Sequence, residues 1–177
     1  MSSILGITFS PKTKAEIEDL PNKKSLGVLH VVTANPEMLM ASMKDQQLQS
    51  ILQESEYVVA DGIGLQWLCR LTGQAIPTRI PGVDLMVAWL EHANEYRKSV
   101  VFVGGTEQVA LKLRKVLAKV YPRVRVEHVY DITVDGEGKS VQTASVLNSI
   151  SAVLPDFIFV ALGHGKQEKW LDSNKDY

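Results

Sequence analysis

The sequence predicts an α/β fold, a mostly parallel sheet with helices on both faces. Two observations predict this class. Short, nearly continuous runs of Val, Ile and Phe recur along the 177 residues, and such runs are typical of strands that are buried on both faces of a parallel sheet. Segments with helical spacing lie between these runs, and this alternation favours strands connected by right-handed helical crossovers.

The apolar runs predict five strands, at residues 28–33, 57–60, 100–103, 124–129 and 157–162. One helix is predicted after the third strand, because apolar side chains recur there at three- and four-residue steps and so share one face: Val109, Leu113, Val116, Leu117 and Val120. Leu85, Trp89 and His92 predict a helix after Pro81, and residues 141–153 predict another. Residues 20–25 and 135–138 read as a short loop and a polar turn, so we expect a single domain over residues 1–177.

Composition narrows the possible partners. Hydrophobic residues make up 45% of the chain, and its formal net charge of −1 gives no reason to expect nucleic acid as a partner. The single cysteine, Cys69, fits a reducing compartment. The N-terminus lacks the pattern of a signal peptide, and no apolar run approaches the roughly 20 residues of a membrane helix. We therefore expect a cytoplasmic protein.

Polar residues and glycines follow the predicted strands, at residues 33–37, 61–64, 104–106, 130–131 and 163–168. Ligands of open α/β sheets bind beyond the carboxyl ends of the strands, so these segments are the candidate site. Asp61 is either a general base or a helix N-cap. Thr33 and Asn35 flank the end of the first strand, where Asn35 either contacts a sugar or caps the helix that Pro36 begins.

Two further segments have chemistry suited to a phosphate. Gly104 and Gly105 either let the backbone approach a phosphate or form a tight turn in which Thr106 caps the next helix. Arg79 is suited to bidentate contact with a diphosphate, although most loop arginines are simply solvated.

Other classes of site are disfavoured. The histidines lack metal-ligand spacing, and no Asp-x-Asp pair is present to hold a metal on a nucleotide diphosphate, so we expect no metal and no cofactor. The dinucleotide fingerprint Gly-x-Gly-x-x-Gly is also absent, which argues against a nicotinamide-dependent oxidoreductase. The basic residues of the helix after Gly105 are interpreted as a solvated face.

Read together, five motifs resemble the WecG/TagA/CpsF family of bacterial glycosyltransferases: Thr-Ala-Asn-Pro-Glu at 33–37, Ala-Asp-Gly-Ile-Gly at 60–64, Arg-Ile-Pro-Gly-Val-Asp-Leu at 79–85, Val-Gly-Gly at 103–105 and Lys-Gln-Glu-Lys-Trp at 166–170. The resemblance implies a Rossmann-like α/β fold, which agrees with the predicted strands, and an inverting enzyme of cell-surface polysaccharide or teichoic acid synthesis. The donor would be a UDP-sugar carrying N-acetylmannosamine or a related hexose. The acceptor would be an undecaprenyl-diphosphate-linked sugar of the N-acetylglucosamine type, at the inner face of the cytoplasmic membrane.

The resemblance also implies residue roles. Asp61 matches the proposed catalytic base and Arg79 the arginine that stabilises the departing diphosphate. Thr33 and Asn35 match the polar pair beside the donor, and Gln167 matches a substrate-binding amide. The remaining matched positions, Gly104 and Gly105, form the glycine turn near the nucleotide. Arg79 and helix N-termini, rather than a bound metal, would then balance the charge of the leaving group.

The chain departs from the family in two ways. Gly165 stands where the family usually has proline. The chain also stops at Tyr177, in what reads as a helix, so we expect it to lack the C-terminal appendage that docks such enzymes on the membrane. Without that appendage, we expect weaker contact with the membrane. We also expect exposed apolar surface, which would support a homo-oligomer. The alternative function is a catalytically impaired nucleotide-sugar-binding module.

Overall fold

A computed structural model describes residues 3–23, 27–73 and 77–176. The chain divides into two compact units, Met1–Leu85 and Met86–Tyr177. Each unit is an arrangement of parallel strands and helices, which confirms the α/β class. The expectation of one domain over residues 1–177 stays a prediction.

The sheets of the first unit are two-stranded. Strands β1 (Ser3–Ile4) and β2 (Ile7–Thr8) form an antiparallel hairpin. Strands β3 (Val31–Ala34) and β4 (Tyr57–Ala60) are parallel and in full register. Arg79 adds a single parallel bridge to Ala60, and the Ile80 amide donates to the Ala60 carbonyl over 2.8 Å. This bridge brings a segment from 19 positions farther along the chain to the end of β4.

Helices alternate with these strands: α1 (Lys14–Glu18), α2 (Pro36–Ser42), α3 (Gln46–Glu54), α4 (Ile63–Thr72) and the start of α5 (Gly82–Glu95). The predicted loop at residues 20–25 is wrong in its first part, because Leu20–Asn22 form a 3-10 helix with Pro21 in its first turn. Residues 24–25 lie outside the described residues. The core joins the hairpin, the parallel strands and the helices: Ile4, Ile7, Phe9, Val32, Met38, Leu39, Leu48, Leu52, Val58 and Leu65.

The second unit contains a three-stranded parallel sheet. Strand β5 (Ser99–Gly104) lies in the centre, between β6 (Arg125–Val129) and β7 (Phe157–Ala161). All six residues of β5 are buried. The structure confirms two predicted strands to within one residue at each end, those at 124–129 and 157–162.

Helices cover both faces of this sheet, namely the latter part of α5, α6 (Glu107–Val120), α7 (Thr143–Val153) and α8 (Lys166–Asp172). Successive side chains of a strand point to opposite faces. Val100 and Phe102 accordingly pack with Leu90 of α5 and Leu117 of α6. Val101 and Val103 pack on the other face, in the cluster that contains Val146 of α7 and Trp170 of α8. Helices on both faces were predicted, and the second unit confirms it.

The predicted apolar face of α6 is wrong in part. Leu117 is buried, but Val109, Val116 and Val120 are 52%, 55% and 53% exposed. The buried face is centred on Ala110 and Leu117 instead, so the valines lie on its margin. The apolar face of α6 is therefore wider than the part of the helix that packs against the sheet. The helix predicted at 141–153 begins at Thr143.

Candidate active site

The first unit brings Thr33, Asp61 and Gly82 together at the carboxyl ends of β3 and β4. Thr33 pairs with Val59 in the sheet, and the Asp61 amide donates to the Ala34 carbonyl over 2.8 Å. The backbone of Gly82 lies against both side chains, since a β-carbon there would stand 3.0 Å from Thr33 Oγ1 and 3.4 Å from Asp61 Oδ2. A strand end from each of two neighbouring strands and the start of α5 therefore converge on one point.

The carboxylate of Asp61 holds the start of α5. Its Oδ2 accepts a hydrogen bond of 3.0 Å from the amide of Gly82. The capping alternative for Asp61 does not hold at the following helix α4, whose cap is Gly62, with no side chain and a φ of +92°. The carboxylate bonds instead to the first amide of α5. In the part of the chain that the structure describes, no donor is bonded to the second oxygen, Oδ1. One oxygen of this half-buried group is thus anchored, and the other is available to a ligand.

Asn35 caps α2. Its Oδ1 accepts from the amide of Met38 over 2.8 Å, with Pro36 at the first position of the helix. This confirms the capping interpretation of Asn35, and its role beside a sugar stays a prediction. A β-carbon on Gly64, in the first turn of α4, would lie 2.8 Å from Cγ of Pro36. The first turns of α2 and α4 therefore approach each other closely at this edge.

Arg79 lies at the same edge as Asp61. Its backbone bridges to Ala60, the residue directly before Asp61. The arginine residue itself is exposed, so the sheet holds its backbone while the guanidinium stays accessible. The structure thus brings together four of the predicted site residues in the first unit: Thr33, Asn35, Asp61 and Arg79.

In the second unit, the glycine turn follows β5. Gly104 and Gly105 have φ values of +111° and +76°, which favour glycine. A β-carbon on Gly104 would collide with the carbonyl oxygen of Ala161 and lie 2.8 Å from its carbonyl carbon. Thr106 Oγ1 accepts from the amide of Val109, which confirms Thr106 as the cap of α6. The tight-turn interpretation is therefore correct, and nucleotide binding by these glycines stays a prediction.

Gln167 lies in the first turn of α8 and contacts a buried carboxylate. Its Nε2 donates to Glu168 Oε1 over 2.8 Å, and the Gly165 amide donates to Glu168 Oε2 over 2.7 Å. Only 2% of Glu168 is exposed, and burial raises the pKa of this carboxyl, although the hydrogen bonds from Gln167 and Gly165 partly offset that effect. The neighbouring Lys169 is also buried, and its Nζ donates to the Gly136 carbonyl over 3.0 Å.

Sequence reasoning did not single out Gly82 or Glu168, although both lie inside quoted motifs. The Pro-Gly pair after Arg79 signals the start of a helix, but nothing local predicts that the amide of Gly82 reaches Asp61, 21 positions earlier. Glu168 stands three positions after Gly165, the spacing of a capping box, but Gly165 has no side chain to complete that motif. The spacing alone was available in the sequence, whereas the burial of Glu168 depends on packing.

A cleft of about 330 Å³ lies beside β6, and none of the predicted site residues lines it; its wall includes Arg114, Glu127, His128, Tyr130 and Ser149. Within residues 3–23, 27–73 and 77–176, no three side chains of His, Cys, Asp or Glu gather as metal ligands would. The absence of a metal from the reaction stays a prediction.

Comparison with known proteins decides the family. The model of the glycosyl transferase WecG/TagA/CpsF family matches residues 2–177. The chain belongs to this family. Its members are glycosyltransferases, so the resemblance carried by the five motifs is confirmed and the chain is assigned to that class of enzyme.

Two similar proteins come from Staphylococcus aureus, strains NCTC 8325 / PS 47 and COL. Each is named N-acetylglucosaminyldiphosphoundecaprenol N-acetyl-beta-D-mannosaminyltransferase and is 28% identical over 177 aligned residues. The alignments cover 98% of this chain and 67% of each relative. The chain thus spans about two thirds of the length of these relatives. None of its described helices combines the length and apolar character needed to cross a bilayer.

Proposed function

We propose that this chain is the core of an inverting glycosyltransferase that transfers N-acetylmannosamine, or a related hexose, from a UDP-sugar to an undecaprenyl-diphosphate-linked N-acetylglucosamine. An acceptor hydroxyl oxygen attacks the anomeric carbon and forms the new C–O bond. The bond from that carbon to the β-phosphate oxygen breaks, and UDP leaves with the bonding electrons. Family membership supports the reaction class, and the names of the staphylococcal relatives support the sugar and the acceptor.

The observation that carries the proposal is the position of Asp61. Its Oδ2 is held by the Gly82 amide at 3.0 Å, so the carboxylate has a fixed orientation and a second oxygen for the substrate. In the proposed mechanism this second oxygen takes the proton of the acceptor hydroxyl as the hydroxyl attacks. Proton removal then coincides with bond formation, which is the contribution expected of a general base.

The other predicted residues have supporting roles. Arg79 would bind the diphosphate and stabilise the charge that develops on the leaving UDP. Thr33 and Asn35 would contact the donor sugar. In the second unit, Gly104 and Gly105 would bind the nucleotide, and Gln167 would bind substrate.

The lipid-linked acceptor also determines where the enzyme would work. We propose that it acts at the inner face of the cytoplasmic membrane as a peripheral protein, because its acceptor is anchored there. We also propose that the chain self-associates, through its exposed large apolar side chains. Analytical ultracentrifugation of the chain tests the second point, and a single monomeric species at micromolar concentration would contradict it.

The central test is transfer from UDP-N-acetylmannosamine to a lipid-linked N-acetylglucosamine acceptor, measured as UDP release and as product by mass spectrometry. Asp61→Asn should reduce kcat by at least about a hundredfold, the lower end of what general base catalysis contributes. An asparagine oxygen can still accept from the Gly82 amide, so this variant should fold. Asp19→Asn is the matched control, because Asp19 is an exposed carboxylate whose partners are Asn22 and Lys23. Full activity of Asp61→Asn would remove Asp61 from the role of base.

Replacing Arg79 separates binding from chemistry. Arg79→Ala leaves the backbone bond from Ile80 to Ala60 in place, so the sheet should be preserved while the guanidinium is lost. We expect weaker UDP binding by calorimetry and a lower kcat. If the wild-type chain binds UDP but transfers no sugar, whereas a version of full family length does, the chain is the nucleotide-sugar-binding module of the alternative. If neither version binds UDP, the proposed function is wrong.

A further inference from the structure

We propose that Glu168 is a positioning residue that orients the side-chain amide of Gln167, so that Gln167 offers its carbonyl oxygen to the substrate as a hydrogen-bond acceptor. This inference depends on the proposed function, since it concerns a residue assigned there to substrate binding. It adds the polarity of that contact, and with it the chemistry of the group that Gln167 recognises.

The first step is the direction of the hydrogen bond between the two side chains. A carboxylate can only accept, so the Gln167 atom that lies 2.8 Å from Glu168 Oε1 must be the amide nitrogen. The two oxygens of Glu168 each meet one donor, since Oε2 accepts from the Gly165 amide at 2.7 Å. Two donors on two oxygens is the arrangement of an ionised carboxylate. The amide nitrogen of Gln167 is therefore turned toward Glu168.

The second step is that Glu168 itself cannot turn away. The residue is 2% exposed, and its side chain accepts from the backbone amide of Gly165, the cap of α8. An ionised group in such a position retains its partners, because an unpaired buried charge is costly. Glu168 is therefore a fixed reference against which the amide of Gln167 is set.

The third step is what remains for a ligand. With Nε2 bonded to Glu168, the atom of Gln167 that can meet a new partner as an acceptor is Oε1, and the described residues supply no donor to it. Its partner on the substrate must be a donor, either a sugar hydroxyl or the N–H of an acetamido group. A phosphate oxygen, which only accepts, cannot pair with Oε1. The carbonyl oxygen of Gln167 would thus recognise the sugar and not the diphosphate.

The test exchanges the polarity of the pair. In Glu168→Gln, the new side chain can keep an oxygen on the Gly165 amide, and its NH2 group then faces Gln167. The amide of Gln167 must reverse to accept from it, which presents an NH2 group to the substrate. We expect KM for the donor or the acceptor substrate to rise by at least about tenfold, with a smaller change in kcat, because one hydrogen bond is replaced by two opposed donors.

The double variant Gln167→Glu/Glu168→Gln provides the rescue. Its residue 168 amide donates to the residue 167 carboxylate, whose second oxygen again faces the substrate as an acceptor. We expect KM to return toward the wild-type value in this double variant. The single variant Gln167→Glu places two carboxylates side by side, and we expect it to bind the substrate poorly. A merely structural role for Glu168 predicts no such rescue, so a double variant as impaired as Glu168→Gln would overturn the proposal.

A measurement without turnover separates this inference from the proposed function. In the wild-type chain, NMR should show one Gln167 side-chain amide proton shifted downfield by the carboxylate and slow to exchange, and Glu168→Gln should abolish both properties. If the wild type shows this signature but transfers no sugar, the proposed function fails and the orientation stands. If the wild-type chain transfers sugar and a folded Glu168→Gln variant has the same KM and kcat, the positioning role is wrong.

Discussion

Replacing Gly104 with alanine tests the turn that follows β5. A β-carbon at Gly104 would collide with the Ala161 carbonyl oxygen, and it would stand 2.8 Å from the carbonyl carbon, both of them backbone atoms of the paired strand β7. The residue also has a φ of +111°, which alanine rarely adopts. Backbone strain costs about 1–3 kcal/mol, and a forced shift of packed atoms costs about 1–3 kcal/mol more. Gly104→Ala should therefore lower the free energy of unfolding by about 2–6 kcal/mol.

Gly105→Ala is the matched control. Gly105 also has a positive φ, of +76°, but its β-carbon would meet only side-chain atoms of Val109, at 3.7 and 3.8 Å. This variant should show the cost of strain alone, about 1–3 kcal/mol. The difference between the two variants then measures the contact between β5 and β7, and the difference should be about 1–3 kcal/mol.

Urea denaturation followed by far-ultraviolet circular dichroism gives both free energies. Thermal melting provides a second measure, since 1 kcal/mol corresponds to about 2–4 °C in Tm for a chain of this size. Equal stability of Gly104→Ala and Gly105→Ala would refute the reasoning, because the shared strain would then account for the whole effect and the close approach to Ala161 would contribute nothing.

Three further predictions concern stability. Asn35→Ala should cost about 1 kcal/mol in urea denaturation by removing the cap on the Met38 amide, while Asn35→Asp should keep it. Burial alone would raise the pKa of Asp156, but hydrogen bonds from Ser99 and Lys98 outweigh it and hold that pKa below the ordinary 3.8. Stability should therefore fall as the pH drops through that lowered pKa, and Asp156→Asn should flatten this acid limb. The pKa of Glu168 is raised above 4.5, so stability should fall as the pH rises from about 4.5 through the raised value. Glu168→Gln should lack that slope, and an unchanged slope would contradict the assignment.

The sequence was most informative about the buried strands. Residues 57–60 form β4 as predicted, and the apolar runs near residues 100, 125 and 157 mark β5, β6 and β7. These strands are predictable because burial on both faces requires nearly continuous apolar residues. Short or polar elements carry no such signal. The hairpin of β1 and β2 has two residues in each strand, and α3 has polar residues at most of its nine positions, so neither was predicted.

The candidate site was predictable as a set of strand ends but not as a network of contacts. The positions of Asp61 and Arg79 follow from their places after β4 and before α5. Their roles in the local structure depend on packing between segments that are distant along the chain. The carboxylate of Asp61 bonds to the first amide of α5 and not to the helix that follows it directly, whose cap is Gly62. The burial of Glu168 likewise depends on which segments of the chain pack over α8, and the local sequence does not show this.

The central place of β5 in the second unit has a consequence for synthesis of the chain. Ser99 pairs with Arg125, and Val100 pairs with Phe157, so the most buried strand of the unit is made before both of its partners. At ribosomal speeds of about 5–20 residues per second, β5 waits on the order of seconds for β7. During that time a fully buried, mostly apolar strand has an open hydrogen-bonding edge, which is the state in which nascent chains associate with one another. Fragments of this protein that end before Phe157 lack β7 and retain that edge permanently, and they should need chaperones or low temperature to remain in solution.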